Sequence, residues 1–67
     1  MTTKLAKEEG RKHAEAGKQC TPFDCREFDA IIMAESKKQE RPAKFYAKMR
    51  GAFNTGWQER YFEMVSA

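Results

Sequence analysis

Between Tyr46 and Met64 the large apolar side chains recur at helical steps: Tyr46, Met49, Phe53, Trp57, Tyr61 and Met64 lie three, four, four, four and three residues apart. On a helical wheel they fall within an arc of roughly 120°. This spacing predicts one long amphipathic helix from Pro42 to about Val65. Such a helix takes more than a third of a 67-residue chain, leaving room for two shorter elements around one small core. Gly51 and Gly56 interrupt it, each about 1 kcal/mol poorer than Ala in a helix, so one of them is expected to mark a bend or a close helix contact. Phe45 lies beside the stripe. Phe62 points nearly opposite, either under another helix or out toward a partner.

Two further helices are legible. From Thr3 to Gly17, Ala, Lys and Glu dominate, all good helix formers. Ala6, Gly10, His13, Ala14 and Gly17 share one face, a small stripe that lets another backbone come close. Gly17 is the natural stop. The second helix is expected to open at Thr21 as N-cap, with Pro22 at the first helical position and Asp24 completing a near capping box. It runs to about Lys38 and places Cys25, Phe28, Ile31 and Ile32 on one face, with Phe23, Ala30 and Ala34 on another, as if wedged between two neighbours. Arg41 precedes a proline and so marks the next turn. No period-2 strand pattern or Asn-Gly hairpin turn is present. The expected fold is all-α: a single domain, 1–67, of three helices. Tyr46, Met49, Phe53, Trp57 and Tyr61 pack on Phe28, Ile31 and Ile32, and the small face of the first helix closes the core.

Five Phe, two Tyr and one Trp are too many aromatics for a disordered chain. No apolar run approaches the eighteen or so residues that span a bilayer, and the first ten residues lack the apolar centre of a signal peptide. A cytoplasmic location without membrane partners is expected, and there disulfides rarely persist. Cys20 and Cys25 with His13 fall short of the four ligands of a structural zinc site, so Cys25 reads as a small core residue and Cys20 as a turn residue. No nucleophile, base and orienting group stand together. Neither catalysis, metal nor cofactor is expected.

The net charge is +3, from 13 Lys and Arg against 10 Asp and Glu. Lys7, Arg11 and Lys18 form a ridge on the first helix with Lys12 beside it, while Arg50 and Arg60 border the aromatic arc of the third. Arginine beside Trp57 and Tyr61 can stack on bases or contact phosphate. The plainer reading is that these stems cover apolar surface while their heads reach water.

Two fragments, EEGRKHAEAGKQCTPF and FNTGWQERY, together resemble the ribosome modulation factor family. Gly10, Ala14 and Gly17 match its glycine-punctuated first helix; Cys20, Pro22 and Phe23 match its Cys-Pro-aromatic turn; Phe53, Gly56 and Trp57 match its aromatic–x–x–Gly–Trp element. Against that pattern Thr21 separates Cys20 from Pro22, and the second helix with its loop is an insertion. The resemblance implies a non-catalytic protein that binds ribosomal RNA and modulates translation, here through Arg11, Lys12, Lys18, Arg50 and Arg60. The composition also fits a phage- or mobile-element-type protein that binds and modulates a host protein. In that reading Phe45, Trp57 and Phe62 anchor the contact, as aromatics often do at interfaces. A homodimer is a further expectation.

Overall fold

The computed structural model describes residues 1–21 and 24–66. It consists of α1 (Thr3–Glu15), α2 (Arg26–Ser36) and α3 (Pro42–Ser66), an all-α arrangement with the C-terminal helix the longest. Lys7 reaches Glu59 and Arg11 reaches Glu63; a four-residue step on α1 matches a four-residue step on α3, so the two helices run parallel. The N-terminal ammonium bonds Glu35, while Tyr46 bonds Asp29, Arg50 meets Cys25 and Phe28 stacks on Phe53. From the Asp29–Tyr46 pair to the Cys25–Arg50 pair the numbers fall on α2 as they rise on α3, so α2 runs antiparallel to both.

Local signals explain the ends of α1. Thr2 is its N-cap, its hydroxyl accepting the Leu5 N–H at 3.2 Å. At the other end Lys18 N–H donates to His13 O and Gly17 N–H to Ala14 O, with Gly17 at φ 75°. That is a Schellman stop, which requires the left-handed conformation glycine adopts freely. The small stripe behaves as its composition dictates: Ala6, Gly10 and Ala14 are buried, and Gly10 and Gly56 bring the backbones of α1 and α3 into contact.

The start of α2 differs from the sequence expectation. The helix begins at Arg26, not behind Thr21, and Cys25 occupies the cap position with φ −124° and ψ 49°. The Thr21 carbonyl instead closes a turn, accepting from the Asp24 and Cys25 amides at 3.1 and 3.2 Å. Asp24 turns back to accept the Gln19 N–H at 3.0 Å, so its carboxylate is committed before the helix begins. Pro22 and Phe23 lie outside the described residues. The helix also stops at Ser36 rather than Lys38; Lys38 and Gln39 donate three residues back, to Glu35 and Ser36, which tightens the last turn.

The core holds Ala6, Cys25, Phe28, Ile32, Met49 and Phe53. Three expected members are absent: Ile31 is 49 % exposed, Tyr61 43 %, and Trp57 is half-buried outside the core cluster. The buried face of α2 is Cys25, Phe28, Ile32 and Ser36, and Ile31 lies to one side of it. Ala30 and Ala34 are exposed, so α2 packs on one face and is not wedged. Tyr61 lies eight residues past Phe53, the residue on which Phe28 of α2 stacks. Cys20 and Cys25 are free thiols.

Tyr46 ties α2 to α3 by donating its phenol to Asp29. That bond, followed by burial and the Asp29 charge, holds the phenol above the usual tyrosine range. A folded-state pKa raised above the unfolded value gives stability that is complete below the ordinary value, about 10, and is lost as pH rises through the raised one. Tyr46→Phe is expected to lower stability by about 1–2 kcal/mol at neutral pH and to flatten the alkaline fall in Tm. Melting curves from pH 8 upward check this; an unchanged alkaline slope would assign the pH dependence to another group.

Candidate functional site

The α1–α3 seam holds most of the basic residues singled out above, and it engages them internally. Arg11 donates to Glu63 at 2.7 Å and lies 3.6 Å from Glu59. Arg60 donates to Glu15 at 2.9 Å and to Glu63 at 3.3 Å. Glu63, bonded first by Arg11 and then by Arg60, sits below the usual carboxylate range, and the same bond raises Arg11. These pairs face solvent, so each adds little to stability, but together they occupy both guanidinium groups. Lys12 pairs loosely with Glu9 at 3.5 Å while its side chain stays largely exposed. Lys18 is exposed, and its carbonyl accepts the Trp57 indole N–H at 2.7 Å.

Arg50 has a different fate. It is 9 % exposed, its guanidinium 5.0 Å from the Phe53 ring centroid and 5.8 Å from that of Phe28. It donates to Cys20 O at 2.6 Å and lies 3.1 Å from Cys25 Sγ. This arginine clamps the α1–α2 loop onto the core and presents no head group to a phosphate, which removes it from the RNA-contacting set.

The densest group of unpaired cations lies elsewhere. Residues 37–48 carry five cations (Lys37, Lys38, Arg41, Lys44 and Lys48) and one acid, Glu40, whereas the other 55 residues carry eight cations and nine acids. The whole positive excess of the chain therefore sits at the α2–α3 corner. All five are exposed, and among the described residues none lies within ion-pair distance of a carboxylate. Arg41, Lys44 and Lys48 line a shallow groove with Phe45, half-buried against the core. The first turn of α3 has no acid, so cations sit at the positive end of its dipole, an arrangement unfavourable until an anion is present. A residue-by-residue reading overlooks this cluster; a running charge count over twelve residues finds it.

The second surface is the far end of α3. Trp57 is half-buried and stacks on Tyr61 at 5.0 Å and 8°, and Tyr61 meets Phe62 edge-on at 5.9 Å. Phe62 is 62 % exposed and Val65 59 %, which settles the alternatives for Phe62 in favour of solvent. Between α1 and α2 a third feature, an open cleft, is walled by Leu5, Phe28 and Ile31 with Glu9 and Glu27 at its edge. Among the described residues no three His, Cys, Asp or Glu side chains gather as a metal site requires, and no helix is long and apolar enough to cross a membrane.

The chain matches no protein-family model, no curated protein and no solved structure. The two fragments that resemble the ribosome modulation factor family do meet in space: Gly10 abuts the backbone of Phe53 and Trp57, and the Lys18 carbonyl binds Trp57.

Proposed function

We propose that the protein is a non-catalytic RNA-binding protein that grips the phosphate backbone at the α2–α3 corner. The carrying observation is the cluster of five exposed, unpaired cations at residues 37–48 beside the half-buried Phe45. Lysine and arginine that have no internal carboxylate are free to displace counterions from phosphate. Phe45 gives a flat edge for an unstacked base. The ribosomal target implied by the family resemblance belongs to this reading, as do modulation of translation and a cytoplasmic location. The contact residues shift from Arg11, Arg50 and Arg60 to Lys37, Lys38, Arg41, Lys44 and Lys48, with Lys12 and Lys18 as outlying cations.

Binding of a single-stranded RNA oligonucleotide, followed by fluorescence anisotropy across a salt series, tests the reading. With three to five phosphate contacts, log K should fall with log salt at about 0.7 per contact. Lys44→Glu with Lys48→Glu should weaken binding more than about tenfold and flatten that slope. The same pair should not lower Tm, because an acid near the first turn of α3 complements its dipole. Unchanged affinity in this variant, or binding insensitive to salt, sinks the proposal.

A second reading, capture of a host protein, is favoured by one observation, the exposure of Phe62. It requires salt-resistant capture of a single protein, lost in Phe62→Ala at unchanged Tm.

A further inference from the structure

We propose that the C-terminal part of α3 is a self-association face, on which two copies of this chain pair antiparallel about a two-fold axis near Tyr61. One apolar line runs the length of α3 but meets two environments. Met49 and Phe53 are buried and Tyr46 half-buried against the core. Tyr61 and Met64 continue the same line into solvent. Trp57, Tyr61, Phe62, Met64 and Val65, with Asn54 and Gln58, form one arc of the helix. Between residues 54 and 65 every charged side chain (Glu59, Arg60 and Glu63) is on the α1 side, where each is ion-paired. The outward arc therefore carries no charge in a chain that is 34 % charged. Aromatic and Met enrichment with charge depletion is the composition of an interface core.

Charge selects the occupant. A partner chosen by complementary charge needs charges on this face, and there are none. A second copy needs only that its own positive charge stays away. That excess sits at residues 37–48, and from Lys44 to Tyr61 is seventeen residues, about 25 Å along the helix. Antiparallel pairing about Tyr61 leaves the two cationic corners about 50 Å apart, far beyond the screening length of about 8 Å in physiological salt. Parallel pairing would set them side by side. The antiparallel arrangement is isologous, so it closes at two copies. The ion pairs to α1 hold the face outward before pairing, so little ordering is needed.

The area limits the strength. Half-exposed side chains of this size, five per copy, offer roughly 400–500 Å² against about 800 Å² per partner in a standard interface. The dimer is therefore reversible and concentration-dependent.

Sedimentation velocity of the full chain without nucleic acid, from low micromolar to near-millimolar concentration, tests this. The wild type should move from the monomer mass of 7.8 kDa toward twice that value. Phe62→Lys and Val65→Lys alter exposed side chains near the C-terminus of α3, where a cation suits the dipole, so each should keep the wild-type melting curve while weakening association more than about tenfold. Lys44→Glu with Lys48→Glu should leave association in place, which separates this surface from the RNA-binding one. A wild type that stays at the monomer mass throughout, association that survives both face variants, or growth past two copies would each overturn the proposal.

Discussion

Gly10→Ala is expected to remove a large share of the stability of this protein, and Gly56→Ala to do nearly the same. A Cβ at Gly10 would lie 2.0 Å from Phe53 O and 2.9 Å from Trp57 N; one at Gly56 would lie 2.0 Å from Lys7 O. These are backbone atoms of regular helices, so no rotamer change relieves the clash. The helices must part, and parting them uncovers Ala6 and Ala14 and loosens Phe53. Overpacking costs about 1–3 kcal/mol in ordinary cores and more where nothing can yield; about 3 kcal/mol is expected at Gly10. A domain of this size has only some 3–10 kcal/mol in total, and each kcal/mol moves Tm by about 4–8 °C. Gly51→Ala is the internal control. Nothing lies within 4 Å of its added methyl, so the substitution should stabilise by about 1 kcal/mol through helix propensity alone. Thermal unfolding of the three variants reads this directly. A Gly10→Ala protein that melts with the wild type would mean the two backbones do not touch.

The second large effect is expected at Arg50. Arg50→Ala removes a charge-assisted bond to Cys20 O, the contacts over Phe53 and Phe28, and the volume of the stem. Against these losses stands the relief of a buried charge with no carboxylate in ion-pair distance among the described residues. The hydrogen bond is worth about 1.5–3 kcal/mol, the desolvated ring contact up to about 2, and truncation adds a cavity. The losses win, by about 2–4 kcal/mol. Arg50→Met keeps most of the volume and should cost about 1–2 kcal/mol, so the step from Met to Ala isolates packing. A second readout follows the loop: with its carbonyl clamp gone, the buried thiol of Cys25 should react faster with a thiol reagent in Arg50→Ala. If Arg50→Met melts above the wild type, the charge is a net burden and the clamp is not what holds the loop.

The helices were legible because their signals are local. The three- and four-residue steps of α3, the small stripe of α1 and the stop at Gly17 each depend on neighbours a turn away. The start of α2 was misread because Thr21, Pro22 and Asp24 suit a helix N-terminus equally well as a turn, and the choice is made by Gln19 and by the Thr21 carbonyl. Ile31 and Tyr61 were misplaced for a tertiary reason: periodicity tells which residues share a face, not how far a neighbouring helix reaches along it. The same limit applies to charge. Sequence shows that Arg11, Arg50 and Arg60 are cationic, but only the parallel seam reveals that Glu15, Glu59 and Glu63 already meet two of them and that the core has taken the third. The corner cations could have been found by composition over a window, since that signal needs no partner.

A direct backbone-to-backbone junction joins the first helix to the last. Gly10 and the Phe53–Trp57 turn are more than forty residues apart in the chain, and α2, the element between them, has one buried face and no side-chain cap. Closing a loop of that length costs entropy before any contact rewards it. A chain growing from its N-terminus thus holds α1 without the surface its glycine was shaped for until α3 is nearly complete. Commitment to the fold is therefore expected to come late, with the seating of α1 on α3.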